Sequence, residues 1–321
     1  MPNRNERRAR LTGLVFLLAA SVWAAPAAPA PIMVGRIEKE LPAGPVRGFW
    51  AKVRLDDPAV RVEVTAPIAD RAGLPAETEA KLEAVDLWAK EHDLVLAVNA
   101  GFFGLMPGAA KQAPPAPAPV ATTPVNPGTP AAATGYRAGL PADIRGLSLS
   151  DGRVVSPPRV IQGRGDPALL ITRDGRARVA YAQAADLVDV AWGVAGIGPT
   201  DNGKEPGTLL LEDGKNLGAT ARVGPAVRHP RTGAGVTADG RTLILVAVDG
   251  RQKGYSVGVT LPELADLLIE LGADDAVALD GGGSTSFYYR QSDGSLLTNR
   301  PSDGHWRAVA NHLGFRLVTQ P

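Results

Sequence analysis

Runs of apolar and polar positions divide the chain into recognisable elements. Residues 48–67, "GFWAKVRLDDPAVRVEVTAP", alternate apolar and polar in two pieces around Asp56, Asp57 and Pro58, which predicts a β-hairpin. Residues 76–92 are good helix formers and place Leu82, Val85, Trp88 and Ala89 on one face, so the pattern predicts an amphipathic helix. A buried strand, Leu94 to Val98, then stops at Asn99.

Farther on, "DG" pairs at 151–152, 174–175, 213–214 and 239–240 punctuate short apolar runs, the signature of successive hairpins. The last of these opens the strand Leu243 to Val248. The helix in "TLPELADLLIELGA" is the best signalled element. Thr260 is a cap, Glu263 completes a capping box, Pro262 suits the first turn and Gly272 the end. Its stripe of Leu264, Leu267, Leu268 and Leu271 leads on to the strand Ala276 to Leu279. A short turn and a closing strand finish the chain. The expected fold is mixed α/β (α+β): one domain with a largely antiparallel central sheet, flanking helices and a β-rich middle section.

Two stretches stand outside this pattern. Residues 1–25 carry Arg4, Arg7, Arg8 and Arg10 ahead of an apolar run and a small-residue stretch, a secretory signal peptide. The run of about 14 residues is short against the ~20 of a membrane span, so cleavage is preferred over a retained anchor. A Pro/Ala linker, residues 26–44, would follow it, and the domain would occupy 45–318. Within it, residues 106–134 collapse to Pro, Ala, Thr and Gly, the composition of an exposed, disordered loop.

Cleavage would remove four arginines and Glu6, so 34 basic and 33 acidic residues become 30 and 32, a formal charge of −2. That balance gives no reason to expect a nucleic-acid partner. The chain has no cysteine, which excludes disulfides and thiolate chemistry. No feature assigns an oligomeric state. The expected address is export, to the periplasm or the medium.

Three apolar strands end in polar residues: Asn99, Asp249 and Asp280. Asp280 is followed by Gly281, Gly282 and Gly283, then by Ser284, Thr285 and Ser286. Three glycines are costly in backbone entropy unless the chain turns with positive φ or something approaches the backbone closely. Bare successive N–H groups make an anion nest, and the hydroxyls add donors beside it. A plain loop is the alternative. Arg228, Arg231, Arg251 and Arg307 supply countercharge, in the forked form that suits phosphate oxygens.

The segments "NAGFF" (99–103), "HPRTGAGV" (229–236), "VAVDGR" (246–251), "LPELADLLIELGA" (261–273), "LDGGGSTSF" (279–287) and "RAVANHLGF" (307–315) resemble, in this order, the phosphodiester glycosidase domain family of N-acetylglucosamine-1-phosphodiester α-N-acetylglucosaminidase and its bacterial relatives. The resemblance covers roughly residues 45–318. It implies roles for Asn99, Arg231, Asp249, Arg251, Asp280, Gly281, Gly282, Ser284, Thr285, Arg307 and Asn311. The Pro-rich stretch after "NAGFF" and the segment 193–207 are longer than the family pattern.

The expected activity is cleavage of a sugar-1-phosphodiester on the sugar side, releasing a hexose such as N-acetylglucosamine from an envelope or exopolysaccharide glycan. Arg231, the 281–283 amides and Arg307 would hold the phosphate, and Asp280 and Asp249 would be the paired carboxylates, with neither role assigned. His229 and His305 lie in matching segments, and His229 is a candidate for proton transfer. No cofactor is required. The competing readings are a phosphodiesterase that cuts P–O using Ca or Mg on Asp249, Asp280 and Asn99, and a module that binds phosphoglycans without turnover.

Overall fold

A computed structural model describes residues 30–108, 135–198 and 206–318. The expected signal peptide, most of the Pro/Ala-rich loop and part of the 193–207 segment lie outside these residues. Strands make up 43% of the described residues and helices 11%, so the α/β expectation holds only in its mixed sense. Every strand pairing among the described residues is antiparallel.

A seven-stranded sheet carries the candidate chemistry. At its centre Thr242–Val248 pairs with Arg231–Val236, which in turn pairs with Asp275–Ala278. One face looks into a core with a five-stranded sheet that contains Leu96–Asn99 and His312–Leu317: Phe49, Leu245, Ala247 and Val277 meet Leu96, Val98, Phe287 and Phe315. The other face is covered by the helix Leu261–Glu270 through Leu264, Ala265, Leu267 and Leu268. With both faces buried, the central strands read as continuous apolar runs rather than alternations. Truncating Leu264 or Leu268 to Ala would cost about 2–5 kcal/mol.

This helix forms as expected: the Thr260 hydroxyl accepts from the Glu263 N–H and the Glu263 carboxylate accepts from the Thr260 N–H. "TGAG" is explained by its closeness. A Cβ on Gly235 would lie 2.7 Å from the Ala273 side chain, and one on Gly233 3.2 Å from Leu268. The four Asp-Gly turns join antiparallel neighbours as predicted.

Three expectations need correction. Residues 32–41, assigned to the linker, form the edge strand Ile32–Leu41, paired along its whole length with Gly44–Arg54. The 48–67 hairpin does not form: Gly44–Arg54 belongs to the seven-stranded sheet and Val60–Val64 to the five-stranded one. Alternation marked two strands correctly, but the Asp56–Pro58 turn is a corner between sheets. The 76–92 helix is reduced to Val85–Glu91. Upstream, Ala80–Lys81 and Glu83–Ala84 pair with Pro141–Ile144 and Ala308–Val309, so tertiary strand pairing overrides helix propensity there.

Candidate active site

Antiparallel register brings the polar strand ends together. Arg231 sits opposite Val248, and Gly233 opposite Ala278, so Arg231, Asp249 and Asp280 leave the same end of the sheet. The Asp280 N–H donates to Ala100 O at 3.0 Å, tying this end to the facing sheet. Asn99 secures the junction. Its Nδ2 donates to Asp280 O at 2.6 Å, and its Oδ1 accepts from Thr232 Oγ1 at 2.8 Å and from the Ser286 N–H at 3.0 Å. Asn99 is therefore a buried clamp under the glycine turn, not a group facing ligand.

The glycine run forms a tight turn whose amides are mostly used. The Gly281 N–H donates to Asp280 Oδ1 at 2.9 Å, and the Gly282 N–H to Pro230 O at 2.9 Å. Of the three, only the Gly283 N–H lacks an acceptor among the described residues. The expected nest of three free amides is thus reduced to one. What the glycines provide is close approach. A Cβ on Gly283 would stand 2.1 Å from Arg307 Nη2 and 2.3 Å from Asp303 Oδ2. One on Gly282, where φ is +63°, would stand 3.2 Å from Arg251 Nη2. Two guanidiniums therefore lie directly against this backbone.

Around the turn lies a cavity of about 380 Å³ whose walls include Phe102, His229, Arg231, Arg251, Asp280 and Arg307. Among the described residues, Asp280 is the one carboxylate on that wall. It is only partly open to the cavity and densely enclosed, and burial pushes its carboxyl up to about 6. The Ser284 hydroxyl, the Gly281 N–H and the charges of Arg307 and Arg145 limit the rise. Arg307 is oriented by Asp303, with Nε 3.0 Å and Nη2 2.7 Å from Oδ2, and lies over the Tyr136 ring at 4.7 Å.

Arg231 lines the same cavity but is committed to the protein. Its guanidinium donates to Val223 O at 3.0 Å, Gly224 O at 2.8 Å and Val227 O at 3.0 Å. Burial, then the neighbouring Arg251, lower its pKa to about 10, so it stays charged at neutral pH. It shapes the 223–227 loop, where Val223 is held at φ +69°, a strained conformation for a β-branched residue. Its positive field still reaches the cavity.

Asp249 does not line the cavity and is 1% exposed. Its carboxylate accepts from Asn299 Nδ2 at 3.0 Å, Tyr255 Oη at 3.1 Å and the Arg300 N–H at 3.1 Å. The two expected carboxylates are thus not presented to one cavity. Burial also pushes Asp249 up to about 6, against these bonds. Ser284 and Thr285 are buried and turn inward, and Asn311 spends its amide on the Gly101 N–H and Ser148 Oγ. Ser284, Thr285 and Asn311 therefore build the site's frame rather than its surface.

His229 is on the cavity wall, and its Nδ1 accepts from Arg251 Nε at 3.3 Å. Burial, then Arg251 and Arg231, lower its pKa, so it is neutral at neutral pH. With Nδ1 accepting, the proton of the neutral ring sits on Nε2, which makes His229 a donor towards the cavity. Sequence reasoning did not single out Phe102, Val223, Gly224 or Asp303. Phe102 lay inside a quoted motif, whereas Val223 and Gly224 carried no signal.

The donor set considered for Ca or Mg does not converge. Asn99 Oδ1 is engaged by Thr232 and Ser286, and the Asp249 oxygens by Tyr255, Asn299 and Arg300, which leaves Asp280 alone. Asp213, Asp274 and Asp275 are the only described carboxylates grouped closely enough to share an ion. Asp213 lies in the 213–214 turn, and Asp274 and Asp275 lie at the start of the strand Asp275–Ala278, at the opposite end of that strand from Asp280.

The sequence profile of the phosphodiester glycosidase family matches residues 92–316. An uncharacterized SPbeta prophage-derived protein of Bacillus subtilis is 30% identical over 184 residues, 56% of this chain and 26% of that protein, so the match spans about a quarter of its length. Among solved structures, the fold is similar to the catalytic domain of zebrafish N-acetylglucosamine-1-phosphodiester α-N-acetylglucosaminidase, auto-inhibited by its pro-peptide. The TM-score is 0.58 at 21% identity, covering 91% of this chain and 85% of that one. A hypothetical protein from Synechocystis aligns with a TM-score of 0.52 at 16% identity, over 91% and 64%.

Proposed function

The chain belongs to the phosphodiester glycosidase family, and from that premise we propose that it hydrolyses sugar-1-phosphodiesters at the glycosidic C–O bond. The observation that supports this reading is one carboxylate, Asp280, in a cavity whose other ionisable walls, among the described residues, are three guanidiniums and a histidine. Such a wall favours a monoanionic diester. Arg251, Arg307, the Gly283 N–H and His229 Nε2–H are the donors free to hold its oxygens, while Arg231 adds field from behind.

In the proposed step the bond between C1 and the bridging oxygen breaks, and the electron pair leaves with the phosphate. A phosphate held by guanidiniums is a stable leaving anion, so no separate acid is needed on that side. Positive charge develops on the sugar and is stabilised by ionised Asp280. The oxygen of a water molecule bonds to C1, and its proton passes to the Asp280 carboxylate. The products are a free hexose and a phosphomonoester. Asp249 acts at one remove, fixing the Asn299–Arg300 segment and Tyr255.

The apolar leader at residues 1–25 supports export and a substrate in envelope or exopolysaccharide glycans, with N-acetylglucosamine as the first sugar to test. No helix among the described residues is long and apolar enough to cross a membrane. The metal-dependent reading loses support because, among the described residues, no second carboxylate stands beside Asp280 in the cavity. The test is to incubate the purified mature protein with a panel of sugar phosphodiesters and identify both products by mass spectrometry. Free reducing sugar supports the proposal; sugar-1-phosphate selects P–O cleavage, and no product selects a binding module.

A further inference from the structure

At the end of the seven-stranded sheet away from Asp249 and Asp280 lies a larger groove, of about 690 Å³. Thr242, at the start of its strand, pairs with Arg54, and the next residue, Leu55, donates its N–H to Arg241 O at 2.8 Å and lines this groove. The groove runs between Val60–Val64, the edge strand of the sheet that holds Leu96–Asn99, and a second five-stranded sheet that includes Ser148–Ser150, Pro167–Thr172 and Val190–Ala195. It shares no described wall residue with the cavity at Asp280.

The charge of the groove is unbalanced. Arg61, Arg153, Arg173 and Arg316 line it against two acids, Glu63 and Asp151. Both acids are already engaged: Asp151 Oδ1 accepts from Arg173 Nη1 at 2.6 Å, and Glu63 Oε1 from Arg316 Nη2 at 2.7 Å. Two guanidiniums are left over. Arg153 is exposed and its side chain has no hydrogen bond or ion pair among the described residues. Arg61 is exposed too, and spends Nη1 on Pro58 O and Val60 O, at 2.8 Å each. Register sets Arg61 directly opposite Arg316, and like charges facing across strands are unfavourable by themselves. Glu63 answers only one of the pair, and Arg316 Nε stays buried with no partner among the described residues.

The wall also carries the half-buried indole of Trp192, paired across strands with Ile171 and flanked by the Arg173 guanidinium at 5.8 Å from its ring centroid. An aromatic face takes the apolar C–H face of a sugar ring, and forked guanidiniums take carboxylates in pairs. Two of the four forks already hold a carboxylate from the protein, which shows the chemistry that the remaining two are shaped for. The volume suits an enclosed ligand and is nearly twice that of the cavity at Asp280.

We infer that this groove is a second ligand site, for an acidic oligosaccharide whose uronate carboxylates pair with Arg61 and Arg153 while a ring rests on Trp192. The site is separate from the proposed reaction and does not require it. Its place at the far end of the sheet would let the chain hold an acidic glycan while the cavity at Asp280 remains open.

Calorimetric titration of the purified mature protein tests this without turnover, using a hexameric oligogalacturonate and, as a neutral control of equal length, maltohexaose. The uronate should bind at least tenfold more tightly than the neutral hexamer. Arg153→Ala should lower uronate affinity about tenfold, and Arg61→Ala combined with it about 100-fold, with the circular dichroism spectrum unchanged. Because the cavity at Asp280 is also cationic, Arg307→Ala is titrated alongside and should bind the uronate as wild type does. No binding by wild type, equal binding of the two hexamers, or a loss in Arg307→Ala instead of the groove variants overturns the inference. Binding to phosphatidylglycerol vesicles that Arg153→Ala weakens, with the uronate unbound, would assign the groove to a membrane surface and also overturn it. Arg153→Ala should leave kcat/KM for a small sugar phosphodiester unchanged; if wild type cleaves no diester, the proposed reaction fails and the titration still decides the groove.

Discussion

Asp249 and Asp280 leave strands on either side of Arg231–Val236, and burial pushes both carboxyls up to about 6, yet their surroundings differ. Asp249 has its oxygens filled by Tyr255, Asn299 and Arg300 and no access to a cavity. Asp280 is bonded by the turn that follows it and is open on one side to a wall of guanidiniums. A raised pKa alone does not mark a working group. What separates the two is whether the acceptor capacity is already spent on protein donors.

The sharpest way to break this comparison is to neutralise each acid in turn. Asp280→Asn should lower kcat for sugar release about 10³-fold with the fold retained, as expected for loss of a proton-transferring carboxylate. Circular dichroism and product assay together check it. Asp249→Ala should act on stability instead, costing about 3 kcal/mol because the buried donors of Asn299, Tyr255 and Arg300 lose their acceptor. A urea titration reads this. The fraction that remains folded should turn over substrate within about tenfold of wild type.

The phosphate wall comes next in size. Arg307→Ala should lower kcat/KM about 10- to 100-fold, the loss of one charge-assisted grip of about 1.5–3 kcal/mol. Gly283→Ala should lower it about tenfold by pushing Arg307 and Asp303 off the backbone they lie against. Steady-state kinetics on both variants test whether the glycines serve close approach. A large drop in melting temperature with unchanged kcat/KM would instead assign them to folding alone.

How far the sequence revealed this site depends on the distance over which each signal acts. The 261–270 helix was legible because its cap, box and stripe are local, and Asp-Gly turns carry their own backbone preference. The glycine run was legible as a point of close approach, but not what approaches it, since Asp303 and Arg307 arrive from 20 or more residues away. Asp249 and Asp280 looked alike for the same reason: Asn299 and Arg300 reach Asp249 across about 50 residues. The sequence presents Arg231 as a phosphate-holding cation because the carbonyls of the 223–227 loop that occupy its guanidinium are set by tertiary structure. The 76–92 segment misled because helix propensity there is outweighed by strand partners contributed by Pro141–Ile144 and Ala308–Val309.

The smallest expected effect concerns pH. Asp280 is raised from 3.8 to about 6 in the folded protein, so ionising it costs stability. The sign follows: the folded state is favoured below pH 3.8, loses that advantage as pH rises through about 6, and stays penalised above it. Asp280→Asn should therefore be more stable than wild type by about 1–2 kcal/mol at pH 8, and the gap should close towards pH 4. In wild type, kcat/KM should rise with pH through about 6 as Asp280 ionises. Thermal melts and a pH–rate profile check the two halves.

The bond that breaks is decided most directly by carrying out hydrolysis in water enriched in heavy oxygen and weighing both products. Attack at C1, assisted by Asp280, places the label in the free sugar and none in the phosphomonoester. Label in the phosphate would mean that the P–O bond had been cut, and would contradict the role given to Asp280 and its cavity.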